Sequence, residues 1–309
     1  MYDTTNFWVS AKRVGDCTPT LNALEDISRT LYNDRKRYYI HGRLQNYDVF
    51  LGDAGVSVKG GSLCKWQLGN NYEPLTRQGA EDAVTSLSDA LHLPLAEAKV
   101  TRLDFGACFV LHEPTNVYLE QLGALQDAER TKDRTSLYYH SAKGVLCLYD
   151  KNAETISHSG TIPKQYQNKN VLRYEQRLMY PTQINTAFQT AVAGATLYNA
   201  NFFAKVVELW KSKYNEIEKL TNVKAKEIVT TMNTKEFQAY CVARTVAQMG
   251  GLENMLNVIS ESQAQKQITR FEARRKRDYL KKMCSISVLK SGTPKQCELL
   301  QKINEYAKQ

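Results

Sequence analysis

Two segments near the middle of the chain, residues 101–109 and 171–178, alternate apolar and polar side chains. Successive side chains of a β-strand point to opposite faces of the sheet, so each segment would have one apolar and one charged face. The apolar faces would carry Leu103, Phe105, Ala107 and Phe109 in the first segment and Leu172, Tyr174 and Leu178 in the second. The charged faces would carry Arg102 and Asp104 with Gly106, and Arg173, Glu175 and Arg177. We therefore predict two strands that present acids and arginines on a sheet face.

The rest of the first half mixes strand patterns with helices. Aromatic and β-branched runs punctuated by glycine predict strands at 7–9, 38–41, 49–51 and 56–59. Apolar residues at helical spacing predict helices over 79–91 and 114–125, and a hairpin is expected over 136–149. The polar stretch 152–169 is interpreted as a loop. Strands and helices interleaved around one sheet indicate an α/β or α+β layer fold. We predict an α+β domain over residues 1–190, with an antiparallel sheet and helices on one face.

Strand patterns fade after about residue 181, and helical patterns replace them. An amphipathic helix is predicted over 201–220, and capping-box patterns at 233–236 and 293–296 predict the starts of two more. Residues 265–283 carry eight basic residues against two acidic ones and are predicted to be helical. We predict an all-helical domain over 191–309 that binds DNA as an accessory to the first. Its phosphate contacts would come from Arg270, Arg274, Arg275, Arg277 and Lys281, with a solvated helix face as the alternative.

Composition narrows the class of protein only modestly. The 309 residues are 42% hydrophobic and 24% charged, which is typical of a soluble globular protein. No run approaches the ~18–20 apolar residues of a membrane span, so no membrane partner is expected. Seven scattered cysteines without a Cys-x-x-Cys pair make disulfides and structural zinc weak interpretations, and the cytoplasm is the expected compartment. A net charge of +9 favours an acidic partner, most simply nucleic acid.

The charged faces of the two central strands suggest a particular chemistry. Carboxylates hold a hard divalent cation, and arginines neutralise phosphate charge, so the pattern suits a metal-dependent phosphodiester site. The competing interpretation is a half-exposed sheet face with surface ion pairs. The tyrosine-rich stretch between the two strands, residues 137–151, favours the functional interpretation.

Four stretches together resemble the gene II/X family, the replication-initiation endonucleases of filamentous phages and related plasmids. They are Gly61–Trp66, Val100–Gly106, Leu146–Lys151 and Leu172–Arg177, and the resemblance spans roughly residues 45–180. None of the four is specific alone, but their order and spacing are. The resemblance implies a rolling-circle nickase with a rolling-circle initiator nuclease-like fold. Such an enzyme cuts one origin strand, stays attached to its 5′ end through a tyrosine, and later rejoins the strand.

The resemblance also implies residue roles. A tyrosine at the position of Tyr149 is the nucleophile that the family uses, and Tyr139 and Tyr138 are the next candidates. Lys151 and Arg173 are assigned to phosphate clamping, with a solvated charge as the alternative for each.

The metal assignment rests on the absence of a histidine motif. Related initiators bind their metal through a His-hydrophobic-His motif, which none of the five histidines here forms. Asp104 and Glu175, helped by His140, are therefore the expected ligands of Mg²⁺ or Mn²⁺. Lys65, Arg102 and Arg177 are assigned to DNA.

Two rival functions remain open from the sequence. A non-catalytic origin- or operator-binding protein would need only the basic helix, and a metal nuclease that activates water would leave no covalent product. Single-stranded or hairpin origin DNA is the expected partner, and a host helicase is a second candidate. The sequence leaves the oligomeric state and the origin sequence open.

Overall fold

Ten strands form a single antiparallel sheet in the computed structural model, which describes residues 1–32, 37–220, 232–249, 251–284 and 294–308. The strands are β1 Tyr2–Ser10, β2 Glu25–Tyr32, β3 Arg37–Leu44, β4 Tyr47–Gly52, β5 Gly55–Lys59, β6 Lys99–Leu111, β7 Glu129–Asp133, β8 Ser136–Ser141, β9 Gly144–Asp150 and β10 Asn170–Leu178. Their order across the sheet is β2-β3-β4-β5-β1-β6-β10-β9-β8-β7. The N-terminal strand therefore lies at the centre, beside β6.

Helices connect and cover these strands. They are α1 Ala11–Val14, α2 Thr18–Asn22, α3 Leu63–Leu68, α4 Arg77–Leu91, α5 Thr115–Leu119, α6 Lys151–Ser157, α7 Pro181–Phe188, α8 Ala200–Glu216, α9 Thr234–Gln248, α10 Gly251–Ala264, α11 Arg270–Cys284 and α12 Pro294–Tyr306. Short 3₁₀ turns occur at Leu95–Glu97, Lys164–Tyr166 and Gly194–Tyr198. The predicted α+β class, with helices against an antiparallel sheet and a helical C-terminal region, is confirmed.

The hydrophobic core lies between the apolar sheet face and the helices. Leu87 of α4, Ile184 of α7 and Trp210 of α8 are buried in it together with the apolar side chains of β6 and β10. The Trp210 ring stacks on Tyr174 at 4.9 Å, and the Tyr174 hydroxyl donates a 2.8 Å hydrogen bond to the Trp210 carbonyl. Burying two large rings with their polar atoms satisfied anchors α8 to the sheet.

Two elements differ from their sequence patterns. The helix predicted over 114–125 ends at Leu119, because the chain then turns so that the Gly123 N–H donates to the Glu218 carbonyl at 2.7 Å. A side chain at Gly123 would collide with the Glu218 carboxylate, so glycine permits this approach. The expected loop at 152–169 instead begins with α6, which Asp150 caps by accepting from the Ala153 N–H at 2.9 Å.

The C-terminal helices divide by what they pack against. Although they lie beyond residue 190, α8 and α12 contribute to the sheet core, with Leu299 and Ile303 of α12 buried there. Helices α9, α10 and α11 pack against one another. The capping box at Asn233 is present, because the Asn233 side chain accepts from the Glu236 N–H and the Glu236 carboxylate accepts in return, both at 3.0 Å. The capping box at 293–296 falls partly outside the described residues.

Candidate active site

Strand pairing places the two predicted acids on the same sheet face. Arg177 lies opposite Asp104, and Glu175 lies opposite Gly106, so Asp104 and Glu175 are diagonal neighbours on adjacent strands. Such a pair is separated by about 7–8 Å at the backbone, within reach of converging side chains. Gly106 permits close packing here, because an added Cβ would lie 2.3 Å from the Tyr174 carbonyl oxygen.

Arginines bind both carboxylates. The Arg102 guanidinium donates to Asp104 through Nη2 at 2.6 Å and Nε at 3.0 Å. Arg177 and Arg173 donate to opposite oxygens of Glu175, at 2.6 and 2.8 Å. Asp104 and Glu175 are only 1% and 3% exposed. The predicted charged face is therefore a buried ion network at this point of the sheet, in contrast to exposed surface pairs.

The environments of the two acids push their pKa values apart. Burial, opposed by the hydrogen bond from Arg102, raises the pKa of Asp104 to about 7. Burial also acts on Glu175, but the charges of Arg173 and Arg177 outweigh it and lower the pKa of Glu175 to about 2. Glu175 is thus ionised at neutral pH, whereas Asp104 exchanges a proton there. Neighbouring acids with separated pKa values are typical of catalytic sites.

The three candidate tyrosines occupy different positions. Tyr149 lies opposite Arg173 and donates its hydroxyl to Glu175 Oε2 at 3.1 Å, while 6% exposed. Burial and the Glu175 charge raise the pKa of Tyr149 well above its usual value. Tyr138 lies opposite Cys147 on the same face, half-buried and stacked on the exposed His140 at 5.9 Å. Tyr139 points into the core on the other face, where its hydroxyl donates to the Gly123 carbonyl at 2.8 Å.

The structure places both predicted phosphate-clamping residues inside the protein. Arg173 is 2% exposed and donates to Asp3, to Glu175 and to the Asn71 carbonyl. Lys151 is also 2% exposed, and its ammonium donates to Glu154 at 2.7 Å. In this arrangement both cations neutralise protein acids, so a DNA phosphate would have to displace those acids to reach them.

The predicted DNA-contacting residues are dispersed. Arg102 and Arg177 border the acids with side chains 25% and 30% exposed. Lys65 is exposed on α3, whose buried residues share the core with α4, so it lies on the helix side of the sheet. On α11 the following are exposed: Arg270, Arg274, Arg275 and Lys281. Arg277 is half-buried and donates to Ser260 and Gln263 of α10, which gives it a packing role.

The donor set fits a divalent cation only in part. Asp104 and Glu175 share a face, and the raised pKa of Asp104 shows that Arg102 alone does not offset the burial of its charge. Among the described residues, however, no group of three or more His, Cys, Asp or Glu side chains has a metal-binding arrangement. Magnesium in phosphoryl-transfer sites takes one or two carboxylates and completes its shell with waters and substrate phosphates. The two acids fit an ion of that kind, which would bind together with DNA.

Sequence reasoning missed Asp3, which the structure makes part of this network. Its Oδ2 accepts from Arg173 at 2.5 Å and from the Asn71 amide at 3.0 Å. The pairing of β1 with β6 shifts register between Tyr2 and Thr5. This irregularity interrupts the strand alternation around Asp3, so the sequence offers no periodic signal for its inward position.

The fold and site define a class: an antiparallel-sheet protein with a buried acid–arginine–tyrosine network on one sheet face. The sequence model of a known family, described as the N-terminal part of the replication-associated protein encoded by phage gene II, matches residues 1–195. The chain therefore belongs to this family of filamentous-phage gene II replication proteins, which confirms the resemblance and supports a role in initiating replication on DNA. A search of curated proteins gave no match. Within the described residues, every helix is too short or too polar to cross a membrane.

Proposed function

We propose that this chain initiates rolling-circle replication by cutting one strand of origin DNA and later rejoining it through a tyrosine. The observation that carries the proposal is the hydrogen bond from Tyr149 to Glu175 inside the arginine network. A tyrosine, two acids and their arginines on a single sheet face supply a nucleophile, proton-transfer groups and positive charge. Membership in a phage replication family supports DNA as the substrate.

The chemistry follows from these groups. The Tyr149 oxygen attacks the scissile phosphorus, forming a phosphotyrosine bond to the 5′ side while the bond to the 3′ oxygen breaks. The proton of the Tyr149 hydroxyl passes to Glu175, the carboxylate that orients the hydroxyl and accepts its hydrogen bond. Asp104, whose pKa is about 7, must be ionised to hold a cation, so the departing 3′ oxygen takes its proton from solvent water. Because the phosphodiester energy is kept in the covalent bond, rejoining needs no nucleotide cofactor.

Arginines and a cation would stabilise the charge that develops on the phosphate. Arg102 and Arg177 border the acids with partly exposed side chains and are the available donors. Asp104 and Glu175 would hold Mg²⁺ or Mn²⁺, which when bound would act as a Lewis acid toward a phosphoryl oxygen. His140 is exposed on β8, two residues from Tyr138 on the same face, and strand β9 separates β8 from the Glu175 strand β10.

Trapping the covalent product tests the proposal. The protein is incubated with Mg²⁺ and a labelled single-stranded oligonucleotide carrying the origin, and a denaturing gel then resolves the adduct. Tyr149→Phe should abolish the adduct, and Tyr139→Phe is the matched control because Tyr139 is buried on the opposite face. Loss in Tyr138→Phe alone would transfer the role to the more exposed ring on β8.

The same gel separates the rival functions. A nick without adduct in the wild-type protein would identify a nuclease that activates water. Tyr149 is only 6% exposed, which is a specific reason to test for this outcome. Intact DNA that is only shifted in a native gel would identify a non-catalytic origin-binding protein. A host helicase as further partner requires a separate binding measurement.

The exposed cations of α11 are proposed to hold duplex or hairpin DNA near the site through its phosphates. Arg274 and Arg275 are exposed on this helix, and their contacts would add affinity with little sequence information.

A further inference from the structure

A row of flat rings crosses strands β1, β5, β4 and β3, on the side of β6 away from β10. Trp8 on β1 lies opposite Ser57 on β5, Ser57 lies opposite Phe50 on β4, and Phe50 lies opposite His41 on β3. Cross-strand partners share a face, so these residues form one row over four strands. Asn6, two residues before Trp8, lies opposite Arg102, which places the row on the same face as the acids.

The rings in this row are accessible and already arranged for stacking. Trp8, Phe50 and His41 are half-buried, whereas their neighbours Val9, Val49 and Leu51 point into the core below. The His41 ring stacks on Phe50 with centroids 4.7 Å apart and planes inclined by 26°. The sheet backbone holds the rings, so little side-chain freedom remains to be lost when a ligand stacks on them.

Cations accompany the rings. The Lys59 ammonium lies 5.4 Å from the centre of the Phe50 ring. Lys99 is exposed opposite Trp8, and Arg43 is exposed opposite Asp48, whose carboxylate also contacts His41. Flat rings interleaved with basic side chains match the two chemical parts of an unpaired nucleic-acid strand, because bases stack on the rings and phosphates meet the cations. A duplex keeps its base faces covered and could not use the rings.

The row is continuous with the acid site. Lys99, opposite Trp8, is five residues from Asp104 along β6, which corresponds to roughly 16 Å at about 3.3 Å per residue. We propose that Trp8, Phe50 and His41 form a stacking surface for single-stranded DNA. This surface holds the part of the DNA strand that extends beyond the acid site. This inference rests on the proposed function only in taking the bound DNA to be the origin strand that is cut.

Fluorescence anisotropy with a labelled unpaired oligonucleotide and the full-length protein tests the surface. Trp8→Leu and Phe50→Leu should each weaken binding about 5- to 150-fold, the range expected for one lost base stack. Trp8→Phe keeps a ring and should bind within about threefold of wild type on the same scale. Tyr180→Leu is the matched control, because Tyr180 is 63% exposed in the connection between β10 and α7. The same sequence annealed into a duplex should bind the leucine variants and wild type alike.

Lys59→Gln gives a second measure that leaves the rings in place. It should lower the slope of log affinity against log salt by about 0.7, the value for one phosphate contact on a single strand. Losses in Trp8→Leu and Phe50→Leu no larger than in Tyr180→Leu would overturn the proposal, as would an equal loss for duplex DNA. Ring-dependent binding in a protein that forms no covalent adduct would retain this surface and reject the proposed function, so the two failures are distinguishable.

Discussion

Replacing Glu175 with glutamine tests whether the buried ion network stabilises the fold. The side chain is 3% exposed and accepts from Arg173, Arg177 and Tyr149, so solvent does not screen these interactions. Glutamine keeps the shape but resembles the protonated acid. The difference between the usual pKa of 4.5 and about 2 in the protein corresponds to about 3 kcal/mol. Removing one partner of a buried pair also costs about 3–5 kcal/mol, so the two arguments agree.

Urea unfolding followed by circular dichroism measures this cost. Because folding lowers the pKa of Glu175, its contribution is complete above pH 4.5 and is lost as the pH falls toward 2. The difference between wild type and Glu175→Gln should therefore be about 3 kcal/mol at pH 7 and shrink in acid. Asp104→Asn is the control: burial penalises its charge, so this change should leave stability at pH 8 unchanged or higher. A cost below about 1 kcal/mol for Glu175→Gln at pH 7 would refute the reasoning.

Three further predictions concern other parts of the molecule. EDTA should abolish adduct formation while single-strand affinity persists, and full activity in EDTA would exclude a required divalent cation. The double change Arg274→Glu with Arg275→Glu should weaken duplex binding and reduce its salt slope by about 1.8, and an unchanged slope would make α11 a solvated face. Glu298→Gln should lower the free energy of unfolding by about 1–2 kcal/mol, because Glu298 of α12 accepts from Tyr118 and pairs with His112 at 2.7 Å. These bonds lower the pKa of Glu298 against the effect of burial, so the difference should be complete above pH 4.5 and shrink as the pH falls below that value in urea titrations.

The local pattern was informative where a strand has two distinct faces. Alternation in residues 101–109 and 171–178 predicts that Asp104 and Glu175 point away from the apolar face of their strands. The pairing of the two strands places both acids on one sheet face. The helix over 79–91 was also predicted, because its apolar residues recur at helical spacing. The division of the chain at residue 190 and the individual catalytic roles stay predictions.

Patterns failed where distant segments decide the outcome. The helix from Pro114 ends early because Gly123 meets a carbonyl of the segment after α8, a contact between residues far apart in the sequence. Likewise, helix α12 has an amphipathic sequence that suits any apolar surface, and only folding shows that it packs in the sheet core.

Strand alternation already predicts from the sequence that Tyr138 and Tyr139 face opposite ways, because adjacent residues of a regular strand do so. It did not determine which of them shares the face of the acids, because that depends on the register of β8 on β9 and of β9 on β10. A shift of one residue would exchange their faces. The tertiary structure also brought Asp3 to Arg173 across 170 positions. Strand alternation is local and can be read from the chain, whereas register and long-range ion pairs are set by the packing of the whole sheet.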